Sequence, residues 1–156
     1  MNLKNLVSPD SVIYNANVVS KKRALELLAD LLAKQTEANK SFDIFQLLTE
    51  REKLGSTSLG HGIALPHART SLCKQAIGVF IHTKNGIDFD SPDRQPTDLL
   101  FALMVPEHYT DEHLNILAQL ASMFNDKVFC QNLRSADNNT ELYQQLTNYD
   151  ISSLAS

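Results

Sequence analysis

Two histidines and an arginine stand out among the side chains able to carry out a reaction. His67 directly follows Pro66 in the stretch GSTSLGHGIALPHAR, residues 55–69. Proline fixes its own φ angle and favours extended backbone in the residue before it, so the chain that enters His67 is stiff. A neutral imidazole is a competent nucleophile near pH 7, because its ordinary pKa is about 6.5. The stretch predicts a nucleophilic imidazole; the alternative is a histidine that ends a strand and hydrogen-bonds a carbonyl.

Arg51 belongs to the apolar stripe of a predicted helix. It lies three residues after Leu48 and four after Leu47, and Ile44 and Leu54 complete the stripe. A guanidinium stays charged on such a face, so it needs an anionic partner or a route to water. A phosphoryl group would suit its planar fork of donors. In the alternative, the side chain extends outward and complements the helix C-terminus.

His113 has a similar position in a later helix. It precedes Ile116 by three residues and Leu117 by four, so it lies on the buried stripe. It also lies in the first turn, where unpaired backbone N–H groups favour a bound anion. That helix end would lower the pKa of His113 and favour its neutral form. The alternative is an ordinary core histidine with its hydrogen bonds satisfied.

Ser56 and Thr57 follow the predicted end of the Arg51 helix at Gly55. Their hydroxyls have the chemistry to donate to phosphate oxygens, and the alternative is that they only shape the turn. His61, His82 and His108 are weaker candidates.

The composition bounds the class of protein. The 156 residues fit one domain, residues 1–156, with 43% apolar and 21% charged side chains. A net charge of −4 provides no basic surface for nucleic acid. Neither a membrane-spanning run nor a secretory signal is found, and Cys73 and Cys130 are isolated in sequence. We therefore expect a cytoplasmic protein that inserts into no membrane.

Common cofactor and metal motifs are missing from the sequence. It has no HExxH or CxxC pair, no Walker loop, no G-x-S-x-G elbow and no Rossmann glycine fingerprint. We therefore predict no metal site and no cofactor.

The hydrophobic periodicity predicts an α/β fold: one domain with a mixed central sheet flanked by helices. Predicted helices cover residues 20–35, capped by Ser20, and 43–55, where Asp43 and Gln46 resemble a capping box. Further helices are predicted over residues 110–126, capped by Thr110, and within 127–136 and 140–149. Residues 76–83 alternate as in a strand, and residues 98–106 form a continuous apolar run typical of a strand buried on both faces.

The segment REKLGSTSLGHGIALPHAR resembles the active-site signature of phosphotransferase-system enzyme IIA domains of the fructose–mannitol type. The resemblance extends through KKRALELLADLLAKQ, PTDLLFALMVPE and HLNILAQLA, and it is strongest to the nitrogen-regulatory group of that family. Departures include Ser58 and Leu59 where Gly-Ile is common, His61 where asparagine is common, and HAR in place of HGK after the proline. They leave every group required for transfer in place.

The resemblance implies a role for each candidate residue. His67 matches the histidine that accepts a phosphoryl group from a phosphohistidine on a small phosphocarrier protein. His113 matches the second active-site histidine, Arg51 matches the arginine, and Ser56 and Thr57 match the Ser-Thr pair that would bind phosphate.

Three functions are consistent with the resemblance. The first is a phosphorelay regulator whose phosphorylation state controls binding to target proteins, with potassium-transport or sensor-kinase components among the candidates. The second is a sugar-transport enzyme IIA that passes its phosphoryl group to a separate enzyme IIB. The third is an interaction module in which His67 is structural. The lack of an attached sugar-binding or membrane segment in this sequence favours the first.

Overall fold

The computed structural model describes residues 2–149, which contain six β-strands and five α-helices. The strands are β1 Val12–Ala16, β2 Ser58–Gly60, β3 Ile63–Ala64, β4 His67–Thr70, β5 Ile77–Ile87 and β6 Thr97–Pro106. The helices are α1 Lys21–Lys34, α2 Ser41–Lys53, α3 Asp111–Phe124, α4 Lys127–Arg134 and α5 Asn139–Thr147. Both ends of the predicted domain, residue 1 and residues 150–156, lie outside the described residues.

The strands form one mixed sheet in the order β1–β5–β6–β3–β2, and β4 also pairs with β6. The central strands β5 and β6 are antiparallel, and β1 is parallel to β5. Both β3 and β4 run parallel to β6 along the same edge, β3 beside its first half and β4 beside its second. Leu65 and Pro66 bridge the two short strands, so the chain reaches His67 in register with Leu103 of β6.

Helices cover both faces of the sheet, because β6 is apolar on both of its sides. Residues 99–105 of β6 are all fully buried. Helices α1 and α2 pack on one face, and α3, α4 and α5 pack on the other. On the second face the ring centroids of Phe80 and Phe124 are 5.8 Å apart, and those of Phe101 and Phe124 are 6.2 Å apart. Burying one such aromatic side chain contributes about 2–3 kcal/mol to stability.

This architecture confirms the predicted α/β fold with a mixed sheet between helices. All five predicted helices are present. The Ser20 side chain caps α1 by accepting a hydrogen bond from the Arg23 N–H at 3.1 Å. Thr110 is the N-cap residue of α3, although its side chain makes no capping hydrogen bond. The apolar run predicted over residues 98–106 corresponds to β6, which begins one residue earlier and ends at the same residue.

Three local predictions were wrong or incomplete. Asp43 and Gln46 form no capping box, because α2 begins at Ser41 with Lys40 as its N-cap residue. The strand predicted over residues 76–83 continues to Ile87. The first strand, β1, went unpredicted because its short sequence VIYNA is only partly buried and lacks clear alternation.

None of the helices in the described part of the chain is both long and apolar enough to cross a membrane.

Candidate active site

Three elements bring the predicted residues together at one edge of the sheet. His67 is the first residue of β4 and is half-buried. Arg51 comes from the last turn of α2, and His113 comes from the first turn of α3. The Pro66 carbonyl accepts a hydrogen bond from the N–H of Leu103 at 2.9 Å, which holds the backbone just before His67 against β6. The imidazole is therefore presented from a rigid strand rather than from a loop.

Hydrogen bonds at both ring nitrogens define the tautomer of His67. Its Nδ1 atom lies 2.8 Å from the carbonyl oxygen of Leu65. A carbonyl only accepts, so Nδ1 carries the hydrogen and donates it. The Nε2 atom accepts a hydrogen bond from Nε of Arg51 at 3.2 Å, so its lone pair faces the guanidinium. Nε2 is therefore the ring nitrogen that carries the lone pair.

Burial lowers the pKa of His67 from its ordinary value, and the Arg51 charge lowers it further, while the hydrogen bond to Leu65 and the Glu52 carboxylate act in the opposite direction. The net lowering favours the neutral imidazole. Both hydrogen bonds and the pKa thus agree on a neutral ring with its lone pair on Nε2.

His113 packs edge-on against His67, with ring centroids 5.3 Å apart and an interplanar angle of 73°. It is 8% exposed, and its Nε2 atom is buried without a hydrogen-bond partner within the described residues. Burial lowers the pKa of His113 to about 4, with further lowering by His67 and Arg69. A buried nitrogen without a partner, on a ring packed against a second histidine, is unusual for a core residue and favours the predicted functional role of His113.

The guanidinium of Arg51 turns inward to the site instead of extending away from it. Besides its contact with His67, it donates from Nη1 to the carbonyl oxygen of Gly55 at 2.9 Å. The expected stripe around it was partly wrong: Ile44 and Leu48 are buried, whereas Leu54 is 85% exposed. The last buried position of the stripe belongs to Glu52, four residues after Leu48.

The hydroxyls of Ser56 and Thr57 are bonded to protein acceptors. Ser56 Oγ donates to the carbonyl oxygen of Phe89 at 2.8 Å, and Thr57 Oγ1 donates to the carboxylate of Glu52. Both residues line a small cavity of about 350 Å³ beside His67. In this state they shape the loop, and their role as phosphate ligands stays a prediction.

A larger open cavity of about 990 Å³ lies in front of His67. Several of its residues were not predicted from the sequence to belong to the site: the charged Glu50, Arg69, Glu107 and Asp111, and the apolar Leu54 and Leu114. Leu54 and Leu114 are 85% and 67% exposed. The sequence pattern did not indicate that these leucines are exposed, because a leucine next to an apolar stripe is ordinarily a core residue.

His61, His82 and His108 are not among the residues that line this cavity. His61 adopts a positive φ of 55° in the turn between β2 and β3, and His108 is exposed. His82 is buried and stacks on Tyr14, with ring centroids 4.9 Å apart. No group of three or more histidine, cysteine, aspartate or glutamate side chains in residues 2–149 is arranged to hold a metal ion.

The fold and the site together define a class of protein. An edge strand presents a neutral imidazole, a guanidinium contacts its free nitrogen, and a second histidine closes the site. Residues 5–149 match the family described as the phosphoenolpyruvate-dependent sugar phosphotransferase system, EIIA 2. The chain belongs to this family and is therefore a phosphotransferase component, which confirms the resemblance seen in the sequence.

Several proteins similar to this chain along nearly its whole length are nitrogen regulatory proteins. One from Pseudomonas aeruginosa is 43% identical over 142 residues, which cover 91% of this chain and 92% of that protein. Another from Escherichia coli is 40% identical over 148 residues, which cover 94% and 90%. The crystal structure of nitrogen regulatory protein IIA-Ntr from Neisseria meningitidis matches with a TM-score of 0.87 at 39% identity, covering 93% of this chain and 99% of that one.

Proposed function

We propose that this protein is the phosphoryl-accepting regulator of a nitrogen-type phosphotransferase relay in the cytoplasm. His67 takes a phosphoryl group from a phosphohistidine on a phosphocarrier protein, and the phosphorylation state controls which target proteins bind. The observation that carries the proposal is the Nε2 lone pair of His67, which faces Arg51 at 3.2 Å beside an open cavity.

The transfer is a displacement at phosphorus. The lone pair on Nε2 of His67 forms the new N–P bond, while the N–P bond to the donor imidazole breaks and its electron pair returns to the donor nitrogen. The hydrogen on Nδ1 of His67 stays on that nitrogen and keeps its hydrogen bond to the Leu65 carbonyl, so attack by Nε2 requires no proton transfer from His67. Catalysis then depends on positioning and on stabilising charge, as in other phosphoryl transfers.

Two side chains are placed to stabilise the phosphoryl oxygens. Arg51 is always charged and presents a planar set of donors, of which Nε now contacts His67 and Nη1 contacts Gly55. When the phosphoryl group occupies Nε2, the Nε–H of Arg51 is released to bind an oxygen. His113 packs its ring against His67 and has a buried Nε2 without a partner, so in its Nε2–H form this ring has a hydrogen bond to donate.

The surroundings of His67 are suited to a protein donor. Leu54 and Leu114 expose apolar side chains at the rim of the cavity, and Glu50, Glu107 and Asp111 add carboxylates. Exposed apolar groups surrounded by polar ones are typical of protein–protein contact sites. The carboxylates favour a partner whose docking face carries positive charge.

The same rim supports regulation by phosphorylation. A phosphoryl group on His67 adds a charge of about −2 in front of Leu54 and Leu114. A partner that buries these leucines binds the unmodified protein better than the phosphorylated one, because the added charge would have to be desolvated. Potassium-transport and sensor-kinase components are the candidate partners.

A second candidate function is a sugar-transport enzyme IIA that passes the group to a separate enzyme IIB. The description of the matching family, which names a sugar phosphotransferase system, favours this candidate. The chemistry at His67 is the same in both, so the acceptor distinguishes them. Incubating the phosphorylated protein with enzyme IIB domains shows whether the phosphoryl group leaves His67.

Intact-mass analysis tests the proposal. The protein is incubated with phosphoenolpyruvate, enzyme I and the nitrogen-type phosphocarrier, beside His67→Ala and the exposed-histidine control His108→Ala. We expect one acid-labile phosphoryl group on the wild type and the control and none on His67→Ala. If the wild type gains no mass with active upstream proteins, the relay is excluded and the interaction module becomes the better account.

A further inference from the structure

Glu52 is a buried carboxylate next to the site with no role in the transfer as described above. It is the neighbour of Arg51 on α2, and it is 8% exposed. A buried carboxylate is costly unless it is paired and hydrogen-bonded. Its contacts therefore indicate what it stabilises.

Those contacts join α1 and α2 to the loop after α2. Both carboxylate oxygens of Glu52 accept from the Thr57 N–H, at 3.2 and 3.3 Å, and one also accepts from the Thr57 hydroxyl. The ammonium of Lys21 lies 3.0 Å from the carboxylate, and a second carboxylate, Asp90, lies 3.0 Å from the same ammonium. Lys21 also sits 4.7 Å from the centre of the Phe89 ring, which limits its freedom.

From Thr57 a hydrogen-bond chain continues to the reactive ring. The Thr57 carbonyl oxygen accepts from the Leu65 N–H at 3.1 Å. The Leu65 carbonyl oxygen accepts in turn from Nδ1 of His67 at 2.8 Å. The N–H and the C=O of Thr57 belong to different peptide groups joined at Cα, and the same holds for Leu65, so the chain fixes the positions of these groups rather than polarising one bond through the next. Glu52 therefore lies at the head of the chain that ends on the Nδ1–H of His67.

The opposite nitrogen of His67 is tied to the same region of α2. Arg51 contacts Nε2 of His67 and the Gly55 carbonyl, and Gly55 lies in the loop that Glu52 closes onto α2 through Thr57. A shift of this loop would move an acceptor of Arg51 and the backbone anchor of Leu65 together.

We propose that Glu52, held by Lys21, is a positioning residue that keeps His67 in the Nδ1–H tautomer with Nε2 directed at the incoming phosphorus. The consequence for the reaction rate rests on the proposed function, whereas the tautomer is a property of the protein alone. Since Glu52 is buried and is not among the residues that line the cavity in front of His67, we expect it to act on the maximal rate and to leave the affinity for the phosphocarrier unchanged.

The experiment reads tautomer and rate separately. The ¹⁵N chemical shifts of the two His67 ring nitrogens give the tautomer in unphosphorylated protein, and rapid-quench time courses at varied phosphocarrier concentration give the rate. In Glu52→Ala we expect a second population with the hydrogen on Nε2 and a maximal rate lower by about ten- to a hundredfold. The half-saturating donor concentration should change by less than about twofold.

Two variants test whether Glu52 acts on His67 through Thr57. Glu52→Gln keeps an acceptor oxygen for Thr57, so it should restore the tautomer and most of the rate. Asp90→Asn neutralises the other carboxylate on Lys21 without touching Thr57, so it should match the wild type in both readouts. A glutamine variant as defective as the alanine variant would overturn the route through Thr57.

A stability control excludes a general effect of destabilisation. Leu142→Ala removes a fully buried side chain on α5, outside the active site. If it alters tautomer and rate as Glu52→Ala does, or if Glu52→Ala leaves both unchanged, Glu52 has no positioning role.

If Glu52→Ala does not fold, Thr57→Val deletes only the hydroxyl bonded to Glu52. It must then shift the tautomer in the same direction for the proposal to stand. A wild type that is never phosphorylated defeats the proposed function, while the tautomer comparison still decides on Glu52.

Discussion

Nε of Arg51 donates a hydrogen bond to Nε2 of His67 across 3.2 Å, so the nitrogen proposed as the nucleophile is in contact with a cation in the unphosphorylated protein. In the proposed transfer, negative charge develops on the phosphoryl oxygens next to this guanidinium. Arg51 would then release Nε2 to phosphorus and bind the phosphoryl oxygens instead, which requires only a small displacement of a side chain already at the site.

Arg51→Lys tests this contact. An ammonium is a single compact donor and cannot bind two phosphoryl oxygens in one plane, so we expect the maximal phosphorylation rate to fall by about a hundredfold. The lysine amine also lies farther from Nε2, and the lowering effect on the pKa of His67 should weaken. A ¹⁵N or ¹H titration of His67 and rapid-quench kinetics measure both effects. Unchanged kinetics in Arg51→Lys would contradict the stabilising role of the guanidinium.

His113 makes stability depend on pH. Its pKa is about 4 in the folded protein against an ordinary value of 6.5, so the unfolded chain binds the proton more readily between these values. The contribution of His113 to the free energy of unfolding is therefore fully present above about pH 7, decreases as the pH falls toward 4 and is constant below that. The total loss is roughly 2 kcal/mol, a value reduced for the solvent that reaches the cavity. Urea unfolding of the wild type and His113→Asn between pH 7.5 and 4.5 measures it. If the free energy of unfolding depends on pH equally in the two proteins, His113 is not the source of that dependence.

Leu54 and Leu114 should act on donor binding alone. They are 85% and 67% exposed, so replacing both with serine should change the free energy of unfolding by less than about 0.5 kcal/mol. The loss of apolar contact with the phosphocarrier should raise its half-saturating concentration by about tenfold, with little change in maximal rate. Val128→Ser, which is 65% exposed on α4 away from the cavity, is the matched control. An equal effect from Val128→Ser would disprove the proposed docking surface.

Gly62 is required by the turn that leads into β3. Its φ is +84°, and an added Cβ would lie 2.6 Å from Nη2 of Arg134 and 2.8 Å from Oδ1 of Asp98, which are ion-paired. We expect Gly62→Ala to cost about 2 to 3 kcal/mol, because the displacement of a partly exposed ion pair adds to the backbone strain. Gly55→Ala is the comparison, because a Cβ there meets nothing within 4 Å and only strain remains, about 1 to 2 kcal/mol. Equal urea midpoints for the two variants would show that the contacts at Gly62 are unimportant.

Most of the fold was predictable because its signals are local. The apolar run of β6, the Ser20 cap and the helical periodicity each depend on residues within a few positions of one another. The edge strand β1 was missed because its stability comes from pairing with β5, which is distant in the chain. The start of α2 was misplaced because its first turn carries no side-chain cap.

Among the site residues, the sequence by itself determined that His67 follows a stiff, extended segment and that Arg51 and His113 belong to helix ends. These are short-range consequences of proline geometry and helical period. Only the tertiary structure decided that Arg51 contacts Nε2, that Nδ1 donates to Leu65, and that His113 stands edge-on to His67.

The positions of Leu54 and Glu52 show the same division. Helical spacing placed Leu54 on the apolar stripe of α2, but α2 ends at Lys53 and Leu54 is exposed, whereas Glu52 is buried. A periodicity argument counts residues along one helix and carries no information about the partners that other elements supply. Lys21 from α1 and Thr57 from the following loop give the Glu52 carboxylate its hydrogen bonds, and without them its burial would be unfavourable.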